Sequence, residues 1–336
     1  MEKDWFYTYL NGKFVKKDRK VPIKLNHNEV LVKPMSVGIC GSDLYAIKHN
    51  EGESPIGHEW VGKIVEVGDS IKNYSVGEIV TSSANYCCQK CRACLSEDWS
   101  ECTGRKLLGT DSISVISSHV KVHKSDLVKL PQELSIEAQV LLEVAFIGDL
   151  SYMHAKKIGL TECDKIAIFG AGPIGIFSYL ALKHRGYEPI LVEKSQVRVD
   201  NAKKLGLNVE NFASFLIGGT NFSKYDTVID CTGDGAGGTG LLPHAHLFPK
   251  RSGSIVIIGK YFDAKLDNNS FYKQNLRVSW LGHHGVEEFR QSVKFWTPII
   301  EKYAKSLVRV FPFSEVEKAF EVGLKREHTK CILLDK

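Results

Sequence analysis

Four cysteines in the first third of the chain have the spacing of a metal site. Two residues separate Cys88 from Cys91 and Cys91 from Cys94, and seven residues separate Cys94 from Cys102. Four thiolates at this spacing can surround a zinc ion tetrahedrally and leave no position for water. We therefore predict a structural zinc site that fixes a loop, with the adjacent Cys87 as an alternative ligand. No basic recognition helix accompanies the cysteines, so a zinc finger that binds nucleic acid is not expected.

A glycine-rich turn in the second half of the chain has the spacing of a dinucleotide site. Gly170, Gly172 and Gly175 form the pattern GxGxxG after an apolar run at 166–169, and residues 174–182 are compatible with a helix. The first glycine permits the turn, the second lets a pyrophosphate approach the backbone, and the third allows close packing of helix and strand. The helix N-terminus would offer free N–H groups and a positive dipole end to the phosphates.

An acidic residue follows this turn at the distance that suits recognition of a ribose. Residues 189–192 read as a second strand that ends at Glu193, eighteen residues after Gly175. An acid at about that distance can accept hydrogen bonds from both hydroxyls of an adenosine ribose, although a surface acid can fall there by coincidence. A 2′-phosphate would face a like charge at this point, which favours NAD over NADP. Lys194 and Arg198 could oppose this preference by holding that phosphate.

Cys40 and His58 are candidate ligands of a second metal ion. They lie in two glycine-rich stretches, 38–43 (GICGSD) and 57–62 (GHEWVG), ahead of the dinucleotide motif. A thiolate and an imidazole suit zinc, whereas a buried cysteine by itself is often only a small apolar residue. Together they predict a shared metal site. Zinc with an open position could polarise an alcohol oxygen and lower its pKa, which makes hydride release feasible.

Length and composition define the class of protein that must position these residues. The chain has 336 residues, of which 43% are hydrophobic and 25% charged, so two domains with substantial cores are expected. Its net charge of +5 is small and scattered, which gives no reason to expect a nucleic-acid partner. No apolar run is long enough to cross a membrane, and the charged start lacks a signal-peptide core, so we expect a cytoplasmic protein without a membrane partner.

Two sequence patterns distinguish the first part of the chain from the later part. Regularly placed glycines among β-branched residues up to about residue 80 indicate a compact all-β barrel. Apolar runs at 226–230 and 254–258 join 166–169 as buried parallel strands. Thr232 and Gly259 follow the two later strands, where doubly wound sheets bind their ligands.

With these motifs in place, the chain resembles the zinc-dependent medium-chain dehydrogenase/reductase family of alcohol and polyol dehydrogenases. The resemblance runs almost from end to end and is carried by 40–43 (CGSD), 57–59 (GHE), the four-cysteine lobe, 170–175 and a closing segment at 311–320 and 330–334. It implies an α/β fold in which a GroES-like β-rich catalytic domain spans 1–147 and 286–336, with the structural zinc lobe at 87–102. It also implies a Rossmann domain at 148–285, with a doubly wound parallel sheet that binds the dinucleotide, and a homo-oligomer, either a dimer or a tetramer.

The resemblance also implies roles for individual residues. Cys40 and His58 would bind a catalytic zinc, so two zinc ions per chain are expected, and Ser42 would sit beside the substrate oxygen and start a proton relay. Asp43 would orient His58, and Glu59 would lie close enough to bind the ion transiently. The residues expected to bind the cofactor are Gly170, Gly172, Pro173, Ile174, Gly175, Glu193, Arg198, Thr232 and Gly259.

The third ligand of the catalytic zinc stays open between two acids. Polyol dehydrogenases of the family use a Leu-Ile-Glu-Pro type of sequence, and Leu-Leu-Glu-Val at 141–144 matches its start, with Val144 in place of the proline. Glu143 is therefore the expected ligand, unless it is merely solvated. Its distance from Gly170 is a few residues longer than is usual in the family, so Asp149 is a rival ligand.

These expectations together describe a zinc-dependent oxidoreductase. The predicted reaction is hydride transfer between NAD and a secondary alcohol, either a polyol, a sugar or a cyclitol. One alternative is an amino-alcohol dehydrogenase resembling threonine dehydrogenase. A second alternative is a protein that binds zinc and dinucleotide without turnover, which the altered segment after Glu143 would support.

Overall fold

The chain divides into two compact units. The computed structural model describes residues 4–19, 24–49, 52–96, 98, 101–108, 114–233, 240–282 and 284–335. Unit 1 comprises Met1–Glu143 and His283–Lys336, and unit 2 comprises Val144–Gly282. The boundaries expected from the sequence, after residues 147 and 285, lie a few residues further along the chain.

Unit 1 is built mainly from strands. Its strands are β1 (Trp5–Leu10), β2 (Lys13–Asp18), β3 (Glu29–Gly38), β4 (Glu53–Pro55), β5 (Glu59–Val67), β6 (Ile79–Ser82), β7 (Asn85–Tyr86), β8 (Lys106–Leu107), β9 (Val120–His123), β10 (Leu127–Lys129), β17 (Val308–Pro312) and β18 (Lys330–Leu334). Its helices are α1 (Gly41–His49), α2 (Arg92–Leu95), α8 (Val286–Leu307) and α9 (Val316–Lys325), and α3 (Ile136–Lys157) starts in this unit and continues into unit 2.

The largest sheet of unit 1 joins the two ends of the chain. Its strand order is β10-β6-β5-β3-β18-β17, with β9 also paired to β3. Strand β18 runs antiparallel to β3, so the closing segment of the chain completes a sheet that the first hundred residues begin. Val30, Trp60, Phe320 and Leu333 are buried together in one core, which explains why the two segments fold as one unit.

Unit 2 contains a parallel sheet with the predicted doubly wound order. Its strands are β11 (Ile166–Phe169), β12 (Ile190–Glu193), β13 (Val209–Asn211), β14 (Tyr225–Asp230), β15 (Pro249–Ile257) and β16 (Arg277–Trp280). Its other helices are α4 (Pro173–Lys183), α5 (Gln196–Lys204), α6 (Phe212–Leu216) and α7 (Asn268–Lys273). The spatial order is β13-β12-β11-β14-β15-β16, and every pairing is parallel.

This order confirms the predicted fold class and identifies the edge where a ligand can bind. All four residues of β11 are buried, as the apolar run predicted for a strand covered on both faces. The chain order reverses between β11 and β14, and doubly wound sheets bind ligands at the carboxyl edge of that reversal. Among the helices that the structure describes, none is long and apolar enough to span a lipid bilayer.

Candidate metal and dinucleotide sites

The four cysteines of the predicted structural site lie together in unit 1, between β7 and β8. The Sγ atoms of Cys88, Cys91, Cys94 and Cys102 all lie within 4.8 Å of one another. Two of the separations are 3.5 Å, from Cys91 to Cys94, and 3.9 Å, from Cys88 to Cys94. Four sulfurs at about 2.3 Å from a tetrahedral zinc ion would be roughly 3.8 Å apart. The donor set and its spacing therefore fit zinc.

The surroundings of this cluster favour thiolate at Cys91, whereas burial raises the pKa of the Cys94 thiol. Hydrogen bonds from the backbone N–H groups of Cys94 and Thr103 lower the pKa of Cys91 to about 6. A Cβ atom on Gly104 would lie 2.9 Å from the Cβ of Cys88, so glycine at 104 lets the chain pass the ligand. Cys87 is outside the group of four, and burial raises its pKa to about 12, which keeps it a neutral thiol.

A second group of possible ligands lies where β3 ends and β5 begins. The ligand atoms of Cys40, His58 and Glu59 lie within 4.8 Å of one another. The antiparallel register pairs Gly38 with Glu59, which brings the residues after β3 beside those before β5. A Cβ atom on Gly38 would lie 2.5 Å from Glu59 Oε2, so this close approach requires glycine. The set of thiolate, imidazole and carboxylate donors suits zinc.

Asp43 connects the two loops that carry this group. Its Oδ2 accepts a hydrogen bond from the N–H of Cys40 at 2.8 Å, and its Oδ1 accepts one from the N–H of Gly57 at 3.2 Å. The same Oδ1 lies 3.4 Å from Nδ1 of His58, and both side chains are buried. Although burial opposes ionisation, the His58 ring lowers the pKa of Asp43. Asp43 thus faces Nδ1 of His58, an arrangement that would leave Nε2 as the ring nitrogen for a metal.

A buried lysine that the sequence analysis did not single out faces Glu59. Lys330, the first residue of β18, forms an ion pair with Glu59 Oε2, and the two side chains are only 3% and 2% exposed. In the sequence, only its position at the start of an otherwise apolar strand could have indicated that Lys330 is buried. Lysines at such positions are commonly exposed to solvent. The pair supplies one positive charge to a region that otherwise holds several buried acids.

Glu143 belongs to the same electrostatic cluster. It is buried, and burial first and the charge of Glu59 second raise its pKa to about 7, while His58 and Lys330 oppose the rise. The rival acid Asp149 has a different environment. It lies in unit 2, where Arg185 Nη2 is 2.7 Å from its Oδ1. Glu143 is therefore coupled electrostatically to His58 and Glu59, but it lies outside the group whose ligand atoms are within 4.8 Å of one another. Asp149 is paired with Arg185 inside unit 2.

Ser42 lies two residues after Cys40 in the first turn of α1. The residue is partly buried, and its nearness to the group rests on its position two residues after Cys40. Of the residues expected at the catalytic centre, Cys40, His58, Glu59 and Asp43 are joined by contacts, and Glu143 is joined to them electrostatically.

The glycine-rich turn lies at the reversal point of the parallel sheet. Gly170 has a φ of +98°, Gly172 precedes α4 as its N-cap, and Pro173 occupies the first turn. A Cβ atom on Gly175 would lie 1.7 Å from the carbonyl oxygen of Gly170, so only glycine fits there. Ile174 follows in the first turn of α4. The turn thus exposes the helix N-terminus in the geometry that binds phosphate.

Glu193 ends β12 beside this turn and is braced by the backbone. Its Oε2 accepts a hydrogen bond from the N–H of Ala171 at 2.7 Å, and its Oε1 accepts one from Ser195 at 2.9 Å. The Arg198 guanidinium is 3.9 Å from Oε2 and 3.8 Å from the point where a Cβ of Gly172 would lie. The side chains of Glu193 and Arg198, both expected near the adenosine, therefore lie beside the glycine-rich turn. Thr232 lies at this edge too. Its Cγ2 methyl is 3.3 Å from the point where a Cβ atom on Gly170 would lie.

Gly259 completes this edge. A Cβ atom on Gly259 would lie 2.4 Å from the backbone nitrogen of Gly233, so the loops that follow β14 and β15 pack backbone against backbone. Every residue expected to bind the cofactor therefore lies at the carboxyl edge of the parallel sheet, within unit 2.

Comparisons with known proteins agree with this geometry. The family model "Alcohol dehydrogenase GroES-like domain" matches residues 26–132. The chain is 31% identical over 256 residues to a sorbitol dehydrogenase of Bacillus subtilis (strain 168), covering 70% of this chain and 69% of that protein. It is 25% identical over 334 residues to an L-threonine 3-dehydrogenase of Caldanaerobacter subterraneus, covering 94% and 93%. The crystal structure of 2R,3R-butanediol dehydrogenase from Bacillus subtilis has the same fold, with a TM-score of 0.83 at 22% identity over 99% of this chain and 100% of that one.

Proposed function

The chain belongs to the zinc-type medium-chain alcohol and polyol dehydrogenases, and we propose that it transfers a hydride between NAD and a secondary alcohol of a polyol, sugar or cyclitol. The family supports an oxidoreductase of the alcohol dehydrogenase type. The observation that carries the finer proposal is the convergence of Cys40, His58 and Glu59 within 4.8 Å, with the buried Glu143 coupled to them electrostatically. Such a set suits a zinc ion that keeps one position for substrate.

Each residue of this group has a proposed part in the reaction. Cys40 and His58 would hold the zinc with Glu143 as the third ligand, and zinc, when bound, would polarise the alcohol oxygen and lower its pKa. Asp43 keeps the His58 ring in one orientation through Nδ1. Ser42 Oγ accepts the proton that leaves the substrate hydroxyl and passes it towards solvent.

Two carboxylates other than Glu143 have separate roles in this proposal. Glu59 is held by Lys330, so it stays beside the site as a transient ligand and not as a permanent one. Asp149 neutralises Arg185 inside unit 2, which makes it a structural residue. The four cysteines Cys88, Cys91, Cys94 and Cys102 would hold a second, closed zinc site that pins their loop.

NAD is the proposed cofactor, with NADP disfavoured. Each oxygen of the Glu193 carboxylate accepts one backbone hydrogen bond and keeps a second lone-pair position for a ribose hydroxyl. A 2′-phosphate would meet this carboxylate, and like charges in contact repel. Arg198 is already close to Glu193, so its charge is partly neutralised. We also propose a homo-oligomer, either a dimer or a tetramer, as implied by the family.

One observation favours a second substrate class. The similarity to L-threonine 3-dehydrogenase extends along 94% of the chain, whereas that to sorbitol dehydrogenase covers 70%. An amino-alcohol substrate is therefore the second candidate. It would require a site for the charged amino and carboxyl groups in addition to the zinc site, which a polyol does not need.

The test combines metal analysis with a substrate screen. The wild-type protein should hold two zinc ions per chain and form NADH with members of a panel of polyols, sugars, cyclitols and L-threonine. The His58→Ala variant should lose turnover and still bind NADH. The matched control is His27→Ala, which removes an exposed histidine of the same unit and should keep full activity. Ser42→Ala should slow turnover about 100-fold.

Three outcomes would contradict parts of this proposal. Turnover by His58→Ala at the wild-type rate would refute the catalytic site. Oxidation of threonine in preference to every polyol would select the second candidate. Binding of zinc and NADH without turnover on any substrate would identify a non-catalytic binding protein.

A further inference from the structure

A buried polar cluster lies at the carboxyl end of β14, beside the dinucleotide turn. Asp230, the last residue of β14, is fully buried. Its Oδ1 accepts hydrogen bonds from the N–H and the hydroxyl of Thr232, at 2.9 and 2.7 Å, and its Oδ2 accepts one from the phenol of Tyr261 at 2.5 Å. Because a buried carboxylate without donors is costly, these hydrogen bonds determine where Thr232 and Tyr261 lie.

The phenol oxygen of Tyr261 joins several chain segments at one point. It accepts hydrogen bonds from the N–H groups of Leu241 and Leu242, at 2.9 and 3.0 Å, and lies 2.9 Å from Thr232 Oγ1. A Cβ atom on Gly240 would lie 2.4 Å from Cε1 of the Tyr261 ring. Gly240 also has a φ of +60°, a conformation that favours glycine. The absence of a side chain at 240 therefore permits both this backbone conformation and the close approach of the Tyr261 ring. The position of the ring is thus restricted on several sides.

Thr232 connects this cluster to the glycine-rich turn. The hydroxyl of Thr232 is held by Asp230. Its Cγ2 methyl lies 3.3 Å from the point where a Cβ atom on Gly170, the first glycine of the turn, would lie. A Cβ on Gly170 would also lie 3.2 Å from the carbonyl oxygen of Cys231. The turn therefore rests directly on the segment that the cluster fixes, and a displacement of Thr232 would move one wall of the turn.

We propose that Tyr261 is a positioning residue of the dinucleotide site and acts through Asp230 and Thr232. The phenol holds the Asp230 carboxylate and the Thr232 side chain in one arrangement, which keeps the glycine-rich turn in the shape that accepts a pyrophosphate. This inference rests on the proposed nicotinamide-dependent function. It assigns a role to a residue that neither the glycine motif nor the family resemblance singled out.

The test measures NADH binding by Tyr261→Phe, which keeps the ring and removes only the hydroxyl. Asp230 then loses one donor and the N–H of Leu242 loses its acceptor, whereas the N–H of Leu241 still donates to Thr232 Oγ1. We expect the dissociation constant for NADH, titrated by fluorescence, to rise about tenfold. The matched control is Tyr225→Phe at the opposite end of β14, whose hydroxyl lies 3.2 Å from Asn221 Oδ1. The control removes a single hydrogen bond of the same type and should leave the dissociation constant unchanged.

A double-mutant cycle with Thr232→Val tests the route of the effect. Valine keeps the methyl contact with Gly170 and removes the hydroxyl. If Tyr261 acts through Thr232, the double variant should bind NADH within about twofold of the weaker single variant, because both changes break the same network. Multiplicative losses in the double variant would overturn this route.

The remaining outcomes separate this inference from the proposed function. Wild-type-like affinity in Tyr261→Phe would overturn the positioning role while leaving the proposed function intact. If Tyr261→Phe does not fold, the same titration on Asp230→Asn, which keeps the side-chain volume, decides the question, and unchanged affinity there overturns the inference. Failure of the wild-type protein to bind either NADH or NADPH would refute the proposed function and with it the role of Tyr261.

Discussion

The Lys330→Met substitution tests how the charges around the candidate zinc site are balanced. Lys330 is 4% exposed and pairs with the buried Glu59, which also faces the charge of Glu143. Although burial opposes the charged form, Glu59 raises the pKa of Lys330, so the lysine is charged at neutral pH. Methionine has a similar length and fills the same space without the charge.

The expected loss follows from the burial of both partners. Removing one member of a buried ion pair leaves an uncompensated charge, and such changes cost roughly 3–5 kcal/mol. In a unit of about 200 residues, 1 kcal/mol corresponds to roughly 2–4 °C of melting temperature. We therefore expect Lys330→Met to lower the melting temperature of unit 1 by about 10 °C. A bound divalent cation would supply positive charge near Glu59, so the loss should be smaller in zinc-replete protein than after chelation.

Calorimetry of wild type and variant, with and without a chelator, measures this effect. The control is Lys318→Met, which breaks a pair with Glu315 whose side chains are 63% and 42% exposed. An exposed pair contributes less than about 1 kcal/mol, so the control should shift the transition by only a few degrees. Equal shifts in Lys330→Met and Lys318→Met would refute the argument that the buried pair balances the site.

Three further predictions concern the other sites. Cys91→Ser should reduce bound zinc from two ions per chain to one and lower the melting temperature, whereas Cys163→Ser, at an exposed cysteine, should change neither. Burial raises the pKa of Asp126 to about 7, so the contribution of this residue to stability should fall as the pH rises from about 4 to 7, because the unfolded chain releases a proton that the folded chain keeps. The melting temperature of Asp126→Asn minus that of the wild type should therefore be larger at pH 8 than at pH 5. An equal difference at both pH values would contradict this. Glu193→Ala should shift the ratio of kcat/KM values towards NADP, and a wild-type protein more efficient with NADP than with NAD would contradict the ribose-binding role of Glu193.

Features that depend on neighbouring residues could be predicted from the sequence. The glycine spacing at 170–175 predicted the turn, and the apolar run before it predicted β11. The doubly wound sheet followed, because buried parallel strands alternating with helices have few other arrangements. The cysteine spacing likewise predicted a cluster whose Sγ atoms lie together, since a loop of that length can bring all four to one ion.

Contacts between distant segments were decided only by the tertiary structure. Lys330 meets Glu59 because β18 pairs with β3 and β3 with β5, a register that no local pattern reveals. Asp149 was a rival ligand by spacing alone, and the fold instead pairs it with Arg185. Tyr261 joins Asp230 across two strand ends for the same reason. Local spacing determines which residues can form a turn or a cluster, whereas the partner of a buried charge depends on which strands become neighbours, and sheet pairing over long sequence separations determines that.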